Sequence, residues 1–196
     1  MKLSRSVATT DVVAVITNQE LADWLGVDVS DPLLSPMAVT ATAATIEFLQ
    51  LELINRERVV TYETWPTLGT NTGRSLSPGT AALDPVVELP YANLITVDGV
   101  LVGGEATTDY RILDLPTAAI CFNAIPSFSD DVAAIVAQYT AGFGAMTDVP
   151  KAIRTAVTMA ADFLYNNRGS CSAADALKKS GAEALLTPYK AKVVII

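Results

Sequence analysis

Apolar residues recur at helical spacing in two long segments of the chain. The first segment predicts a helix that begins at Ser35-Pro36 and runs to about Asn55, and the second predicts a helix over about 149–168. In the second helix the core-facing residues form one stripe, which indicates a buried face. That stripe consists of Ile153, Val157, Ala160 and Leu164.

The first long helix has two apolar stripes. One contains Val39, Ala43, Ile46, Leu49 and Leu53, and the other contains Met37, Ala41, Ala44, Phe48 and Leu51. The polar residues Thr42, Thr45 and Glu52 are left to form a narrow wet face. A helix that is apolar over so much of its circumference needs more than one partner surface. Either it crosses the centre of one core, or it packs on the core with one side and on a neighbouring subunit with the other.

Capping residues predict shorter helices near both ends of the chain. Thr17 and Glu20 fit a capping box, and the helix that they begin stops at Gly26. Further on, a short helix is predicted at about 172–180, capped by Ser172, and Gly181 is predicted to interrupt it before Ala182–Leu186.

Segments rich in β-branched and aromatic residues lie between the long helices and predict strands. They fall at about 58–65, 86–89, 92–97, 100–102, 109–113, 118–122 and 132–140. Asp98-Gly99 separates two of these segments and predicts a hairpin turn. The order helices, strands, helices predicts an α+β fold in which helices pack on a small antiparallel sheet.

A glycine-containing turn joins the last strand to the second long helix. Gly142 and Gly144 allow backbone conformations that other residues resist. Asp148 is predicted to cap the helix, with Pro150 at an early position where a missing N–H costs nothing. Gly169 is predicted to mark the stop after this helix.

Composition is a second indication that part of the subunit surface is buried against other subunits. Apolar residues make up 51% of the chain and charged residues only 17%, whereas about 25% charged is usual. One interpretation is an apolar core beneath a neutral surface rich in Thr and Ala. The interpretation that we favour is that much of the surface is buried between subunits.

The charge argues against tight binding of nucleic acid. The formal net charge is −8, so the surface does not neutralise phosphates, although an acidic wall past which DNA slides without sticking is compatible. The N-terminus has no apolar run that suits a signal peptide, and no segment reaches the roughly 18 apolar residues of a membrane helix. We therefore expect no membrane partner.

Residues for catalysis or cofactor binding do not form any familiar pattern. The chain has no histidine, which removes the usual base of Ser or Cys catalysis. Cys121 and Cys171 show no metal-ligand spacing and are expected to be free thiols in a reducing cytosol. The stretch Gly69–Ser75 lacks the spacing and the lysine of a P-loop. We expect no enzyme activity, no cofactor and no metal.

Several motifs in order along the chain carry a resemblance to a known family. They are VITNQELADWLGVD at 15–28, the helix-to-strand run 43–58, Thr64-Trp65, Leu89-Pro90, Asp109-Tyr110-Arg111, the strand-turn-helix run 139–169, and Leu185-Leu186-Thr187-Pro188-Tyr189. Over roughly residues 15–190, apart from an unusual insert at 67–84, the chain resembles the gp6-like head-tail connector (adaptor) proteins of tailed phages. The resemblance implies a virion structural protein, made in the host cytoplasm, that forms a homo-oligomeric ring of about a dozen subunits below the portal.

The resemblance also suggests a division of the chain. Residues 1–16 are expected to be an N-terminal extension, 17–168 the head-tail connector core, and 169–196 a C-terminal arm. The insert at 67–84 is rich in Gly, Thr and Ser and is predicted to be a projecting loop. Neither a repeat nor a linker marks a second domain in the sequence.

Candidate contact residues follow from these patterns and from the implied ring. Val39, Phe48 and Leu51 on the first long helix are predicted at the subunit interface. Arg168 is a further candidate there, although a cation at the end of a helix also stabilises the helix dipole. Gly69, Asn71 and Arg74 in the projecting loop are predicted to meet the next neck component.

The C-terminal segment is predicted to dock on the portal. Its candidate residues are Leu185, Leu186, Pro188, Tyr189, Val193, Val194, Ile195 and Ile196. The tail has strong strand propensity and would be an aggregation hazard in water. It either pairs with the sheet of its own subunit or adds a strand to the portal, and we favour the portal. DNA is expected to pass through the channel of the ring without sequence-specific binding. The alternative function is that of another neck or tail-completion protein.

Overall fold

A computed structural model describes residues 5–8, 11–63, 86–91, 93–113, 118–123 and 135–190, the first of these ranges as backbone only. These residues fall into two compact units. One unit is helical and takes its residues from Thr10–Arg56 and Gly142–Ala191. The other contains the strands and takes most of its residues from Glu57–Ala141. The chain is therefore α+β, as the sequence predicts, and each unit is assembled from segments that are distant in sequence.

The helical unit is organised around its third helix. The helices are α1 (Asn18–Leu25), α2 (Leu34–Leu49), α3 (Lys151–Asn166), α4 (Ala173–Lys179) and α5 (Ala182–Leu186), with 3-10 turns at Met146–Asp148 and Thr187–Tyr189. Helix α3 packs against each of the other four helices. The predicted stripe Ile153, Val157, Ala160 and Leu164 is buried in this core.

The short helices confirm the capping signals in the sequence. The Thr17 hydroxyl accepts the Glu20 N–H at 3.1 Å, and the Glu20 carboxylate accepts the Thr17 N–H at 2.8 Å. Gly26 then ends α1 in the left-handed conformation at φ 68°. Ser172 caps α4 by accepting the Asp175 N–H at 3.1 Å. Gly181, at φ 80°, separates α4 from α5.

Helix α2 departs from the predicted pattern in two ways. It ends at Leu49, because Gln50 turns left-handed at φ 57°, so Leu51 and Leu53 lie beyond the helix. The predicted wet face is wrong, since Thr42, Thr45 and Glu52 are buried. Each threonine hydroxyl donates to the carbonyl four residues earlier at 2.8 Å. Burial of the hydroxyls is tolerated because these bonds satisfy them.

The start of α3 also differs from the prediction. Pro150 is the N-cap and Lys151 the first helical residue, so Asp148 does not cap α3. The Asp148 carboxylate instead accepts the Ala145 N–H at 2.8 Å within the preceding 3-10 turn. Gly142 and Gly144 adopt φ 146° and 125°, which confirms the predicted need for glycine.

The described residues of the strand unit form two sheets. Its strands are β1 (Arg5–Ala8), β2 (Arg56–Tyr62), β3 (Val86–Glu88), β4 (Leu94–Val102), β5 (Glu105–Ala106), β6 (Tyr110–Leu113), β7 (Ala119–Phe122) and β8 (Ile135–Ala141). The five-stranded sheet has the order β1-β2-β8-β4-β5, and the three-stranded sheet has the order β3-β7-β6. The sequence patterns did not indicate β1 or β5.

Both sheets contribute to one apolar core. Val60, Val87, Ile120, Phe122 and Ile135 belong to it and are fully buried. Two tyrosines reach from the five-stranded sheet to backbone carbonyls near β3. The Tyr62 hydroxyl donates to the Glu88 carbonyl at 2.7 Å, and the Tyr139 hydroxyl donates to the Pro90 carbonyl at 2.5 Å. The two sheets are therefore joined by hydrogen bonds as well as by apolar contact.

The predicted hairpin at Asp98-Gly99 is wrong. Strand β4 runs through both residues, and β8 pairs with it from Leu94 to Val102, with an irregularity in register between Val97 and Gly99. The Asp98 carboxylate accepts the hydroxyls of Thr96 and Thr140 at 2.8 and 3.0 Å, so it is held on the sheet surface. The turn lies instead at Gly103-Gly104, at φ 57° and 86°, and joins β4 to β5.

Candidate assembly surfaces

The α2 candidates for the subunit interface are only partly covered by the chain itself. Val39, Phe48 and Leu51 are all half-buried. The Lys190 ammonium lies 4.7 Å from the centre of the Phe48 ring, in cation–π geometry. Part of the apolar surface around α2 is therefore accessible. The Lys190 ammonium covers one face of the Phe48 ring.

Arg168 is exposed just after the end of α3. Its Nε donates to the Tyr165 carbonyl at 2.7 Å, and its guanidinium lies 4.3 Å from the centre of the Tyr165 ring. A cation in this position satisfies a carbonyl of the last helical turn and opposes the negative end of the helix dipole. Arg168 therefore stabilises the C-terminal end of α3. Its contact with a neighbouring subunit stays a prediction.

Tyr165 also connects the end of α3 to the segment before α2. Its hydroxyl donates to the Asp31 carboxylate at 2.6 Å. This hydrogen bond is the main reason that the pKa of Asp31 lies below its usual value of 3.8. The same bond raises the pKa of Tyr165 above its usual value of 10.0, because ionisation would remove the donor.

The portal-docking candidates lie in and after α5. Leu185 and Tyr189 are half-buried, Pro188 is exposed, and Leu186 is fully buried. The side chain of Leu186 therefore belongs to the core of the helical unit, where α5 packs on α3. Val193, Val194, Ile195 and Ile196 lie outside the described residues. Gly69, Asn71 and Arg74, the candidates for the next neck component, also lie outside them.

Trp24 marks a surface that the sequence patterns did not reveal. Its side chain is 54% exposed, and its indole N–H donates to the Asp162 carboxylate at 3.2 Å. The indole borders an open groove of about 260 Å³. The groove is lined by Trp24, Met159, Asp162, Phe163, Asn166, Asn167 and Ser180. The only sequence signal was a large aromatic residue in the last turn of a well-capped amphipathic helix.

An ion pair next to the capping box fixes α1 on α3. The Arg154 guanidinium contacts the Glu20 carboxylate directly. The pKa of Glu20 lies below its usual value of 4.5, chiefly because its carboxylate accepts the Thr17 N–H, with a smaller effect of the Arg154 charge. The position of Trp24 therefore depends on a helix that is held at its start by charge and by hydrogen bonds.

The surface of the strand unit is acidic. Among its described residues, the exposed carboxylates are Glu57, Glu63, Glu88, Asp98, Glu105 and Asp109. Of the two arginines whose side chains are described there, Arg111 is exposed and Arg58 is buried beside the Tyr91 ring, 4.3 Å from its centre. Ile95, Leu101 and Ile112 are strongly exposed apolar side chains on the same unit. This part of the chain therefore shows apolar residues among negative charges.

Within the described ranges, no cluster of side chains has the composition of a metal site. No helix there is long and apolar enough to cross a bilayer. Cys121 is buried, Cys171 is half-buried, and both are free.

Comparison with solved structures places this arrangement of elements among known folds. A chain in the neck of an empty gene transfer agent particle, computed with C6 symmetry, matches with a TM-score of 0.72 over 98% of each chain, at 18% identity. The two chains therefore share a fold. A chain in the neck of a native particle, computed with C12 symmetry, matches with a TM-score of 0.68 at 20% identity, covering 100% of this chain and 98% of that one.

A third match is to a chain in the virion of a native gene transfer agent particle. Its TM-score is 0.66 at 20% identity, over 97% of each chain. No protein-family model matches the sequence, and no curated protein matches it significantly. The similarity is therefore one of fold, and it extends over almost the whole of both chains.

Proposed function

We propose that this chain is a structural protein of the neck of a tailed phage or phage-like particle, in the role of head-tail adaptor. The observation that carries the proposal is the shared fold with a gene transfer agent neck chain over 98% of both chains. The order of motifs that resembles the gp6-like connector family, from Val15 to Tyr189, supports the finer assignment. The adaptor extends the channel for DNA and presents a platform to the next component.

The mechanism is geometric and rests on repeated contacts between identical subunits. A closed ring of about a dozen copies needs two different faces on each subunit, because every copy meets one neighbour on each side. The half-buried residues Val39, Phe48 and Leu51 offer partly covered apolar surface for such a contact. Arg168, exposed at the end of α3, is the polar candidate beside them.

The C-terminal segment is the proposed portal contact. Leu185, Pro188 and Tyr189 offer accessible surface, while the fully buried Leu186 holds α5 in place beneath them. The segment 193–196, Val-Val-Ile-Ile, adds a strand to the portal in this proposal, with main-chain hydrogen bonds supplying affinity. Gly69, Asn71 and Arg74 in the 67–84 loop are the proposed contact to the next neck component.

The acidic balance suits a channel through which DNA moves. A net charge of −8 repels phosphates, so DNA passes without being held. In this role the chain is not an enzyme and needs no cofactor, and it acts in the virion after synthesis in the host cytoplasm. The alternative is another neck or tail-completion protein, which would share the acidic surface but would not contact the portal.

The deciding experiment is electron cryo-microscopy of the neck of particles that carry this protein, together with copurification on the isolated portal. We expect a ring of density directly below the portal into which the fold can be placed. Density for the chain at a lower level of the neck, without portal binding, would support the alternative. Absence of the chain from purified particles would overturn both assignments.

A further inference from the structure

The groove beside Trp24 has an aromatic wall and a size that suits a single side chain. Trp24, Met159 and Phe163 supply its apolar lining. Its volume of about 260 Å³ is below the roughly 300–1,000 Å³ that is usual for pockets of drug-sized ligands. Tryptophan is among the residues that most often dominate binding energy at protein interfaces. The groove is therefore suited to receive one long side chain of a partner protein.

The polar side chains that line the groove have used almost all of their hydrogen-bond donors. The Trp24 indole N–H donates to the Asp162 carboxylate at 3.2 Å. The Asn166 amide donates to the carboxylate and to the backbone carbonyl of Asp162. The Asn167 amide donates to the carbonyl four residues earlier at 2.8 Å, and the Ser180 hydroxyl donates to the carbonyl three residues earlier at 3.3 Å. Among the described lining residues, this leaves one side-chain donor, the second N–H of the Asn167 amide.

The acceptors of the groove are largely unused. The side-chain oxygens of Asn166 and Asn167 accept no hydrogen bond from the part of the chain that the structure describes. Both amides have a defined orientation, because a flipped amide would place its oxygen against other oxygens. Each carboxylate oxygen of Asp162 accepts one hydrogen bond and has a second lone pair. The groove therefore presents acceptors and a negative charge beside an aromatic ring.

A guanidinium group matches all three of these features. Its planar face stacks on an aromatic ring in cation–π geometry, and tryptophan is the best ring for this contact. Its edge carries five N–H donors in a fixed fork, which suits several acceptors that line one groove. Its positive charge complements the Asp162 carboxylate. A lysine ammonium shares the charge but has no flat face and only three donors.

We propose that the Trp24 groove binds an arginine side chain of another protein of the neck. The inference rests on the proposed neck function for the source of that arginine. The guanidinium stacks on the Trp24 ring and donates to the Asp162 carboxylate and to the side-chain oxygens of Asn166 and Asn167. Tryptophan and arginine at such a contact are the residue types that most often form paired centres of binding energy.

The arginines of this chain suit the groove of a second copy less well. Four of the described arginines are held by their own chain, in the pairs Arg56–Glu52, Arg58–Tyr91, Arg154–Glu20 and Arg168–Tyr165. The fifth, Arg111, is exposed but lies two residues from the exposed carboxylate of Asp109. The Asp109 charge opposes an approach to Asp162, since like charges repel. We therefore assign the groove to a different protein.

The first test uses the full chain labelled with ¹⁵N and follows the Trp24 indole N–H by nuclear magnetic resonance. Trp24→Phe identifies the signal, because it removes that cross-peak. The probes are peptides of the form acetyl-Gly-X-Gly-amide, in which X is arginine or citrulline, the uncharged analogue of arginine. We expect a saturable shift with the arginine peptide. The citrulline peptide should bind about tenfold more weakly, because its hydrogen bonds are no longer assisted by charge.

The charge of the groove is tested by substitution. Asp162→Asn should weaken binding of the arginine peptide about tenfold, because the acceptor loses its charge. Glu47→Gln removes the same charge from an exposed position of α2 and is the matched control, with unchanged affinity expected. Circular dichroism shows whether both variants are folded, and higher salt should weaken binding to the natural chain. Equal affinity for the two peptides, or no shift with either, would overturn the assignment.

The second test identifies the partner in assembled particles. The photo-crosslinker benzoylphenylalanine replaces Phe163, which lines the groove and has the same ring at its root. After irradiation, mass spectrometry should find this position joined to an arginine-containing peptide of a different neck protein. Replacing that arginine with glutamine should abolish the crosslink. The control places the crosslinker at Ile95, which is exposed on the strand unit, and should not give this product.

The outcomes separate this inference from the proposed function. A crosslink only to a second copy of this chain, or only to a peptide without arginine, would overturn the inference even for a chain that lies below the portal. A chain that prefers the arginine peptide but is missing from particles would keep a site for arginine and lose the neck function.

Discussion

Gly142 lies against the backbone of Asn55 so closely that a Cβ at position 142 would be 2.5 Å from the Asn55 amide nitrogen. The contact belongs to a short backbone pairing, in which the Phe143 N–H donates to the Leu53 carbonyl at 3.3 Å and the Asn55 N–H donates to the Gly144 carbonyl at 2.9 Å. The segment that leads into α3 therefore lies beside the segment that follows α2. Only glycine fits this approach.

We expect Gly142→Ala to destabilise the protein more than any other single glycine-to-alanine change at the positions compared below. The left-handed φ of 146° alone costs about 1–3 kcal/mol for a side chain, and the clash with backbone atoms adds to it. Thermal unfolding followed by circular dichroism measures the effect.

Two other glycines separate the contribution of backbone strain from that of the steric clash. Gly169 has φ 78° with open space around a Cβ, so Gly169→Ala should show strain without a clash. Gly99 has neither a left-handed φ nor a close neighbour, and Gly99→Ala should change the unfolding temperature least. An unfolding temperature for Gly142→Ala equal to that of Gly99→Ala would contradict the close approach.

The capping box of α1 predicts a stability loss that depends on pH. Thr17→Ala should cost about 1 kcal/mol, because it leaves the Glu20 N–H without its acceptor. The folded-state pKa of Glu20 is lowered, so its contribution is present above pH 4.5 and is lost as pH falls through the folded-state pKa. The difference in unfolding temperature between the natural chain and Glu20→Gln should therefore shrink in acid. Thr40→Ala, at an exposed position on α2, is the control.

The hydrogen bond between Tyr165 and Asp31 should matter only within a window of pH. The pKa of Asp31 is lowered, so stabilisation is present above 3.8 and is lost as pH falls through the folded-state pKa. The pKa of Tyr165 is raised, so stabilisation is present below 10.0 and is lost as pH rises through the folded-state value. Tyr165→Phe should lower the unfolding temperature inside this window and have a smaller effect on either side. If the effect of Tyr165→Phe on the unfolding temperature did not change with pH, this hydrogen bond would not couple stability to the ionisation of Asp31 or Tyr165.

Phe48→Glu should leave the subunit folded and weaken ring formation. The ring is half-buried, and the Lys190 ammonium is positioned to pair with a carboxylate placed there. Circular dichroism reports on folding, and analytical ultracentrifugation or electron microscopy with the portal reports on the ring. Thr40→Glu adds the same charge at an exposed position of α2 and should have no effect on assembly. Unfolding of the isolated Phe48→Glu subunit would show that Phe48 serves the core alone.

Truncation after Tyr189 should give a folded protein that no longer docks on the portal. The last fully buried residue of the described chain is Leu186, so the core of the helical unit remains intact. Copurification with the isolated portal measures docking, and a variant ending in Lys-Ser-Ser-Ser-Ser after residue 191 separates loss of the apolar tail from loss of length. Undiminished portal binding by the truncated protein would contradict the assignment of this segment.

Some features of this protein were determined by sequence alone because their causes are local. The capping box joins Thr17 and Glu20 within a single turn, and Gly26 and Gly181 act through their own backbone angles. The stripe of α3 from Ile153 to Leu164 could be read because helical spacing places those side chains on one face. The α+β class followed from the order of such segments. The candidate contacts of the tail and of the 67–84 loop remain predictions from sequence.

Tertiary structure decided what depends on distant neighbours. Thr42 and Thr45 look like solvent-facing residues in the sequence, yet they are buried because backbone carbonyls on α2 satisfy their hydroxyls while other helices cover them. Asp98-Gly99 has the composition of a turn, but pairing with β8 keeps β4 continuous through it. The Trp24 groove forms because residues as far apart in the sequence as Trp24 and Ser180 lie close together in the fold. Local propensity cannot specify such meetings, since burial and strand pairing are set by partners far along the chain.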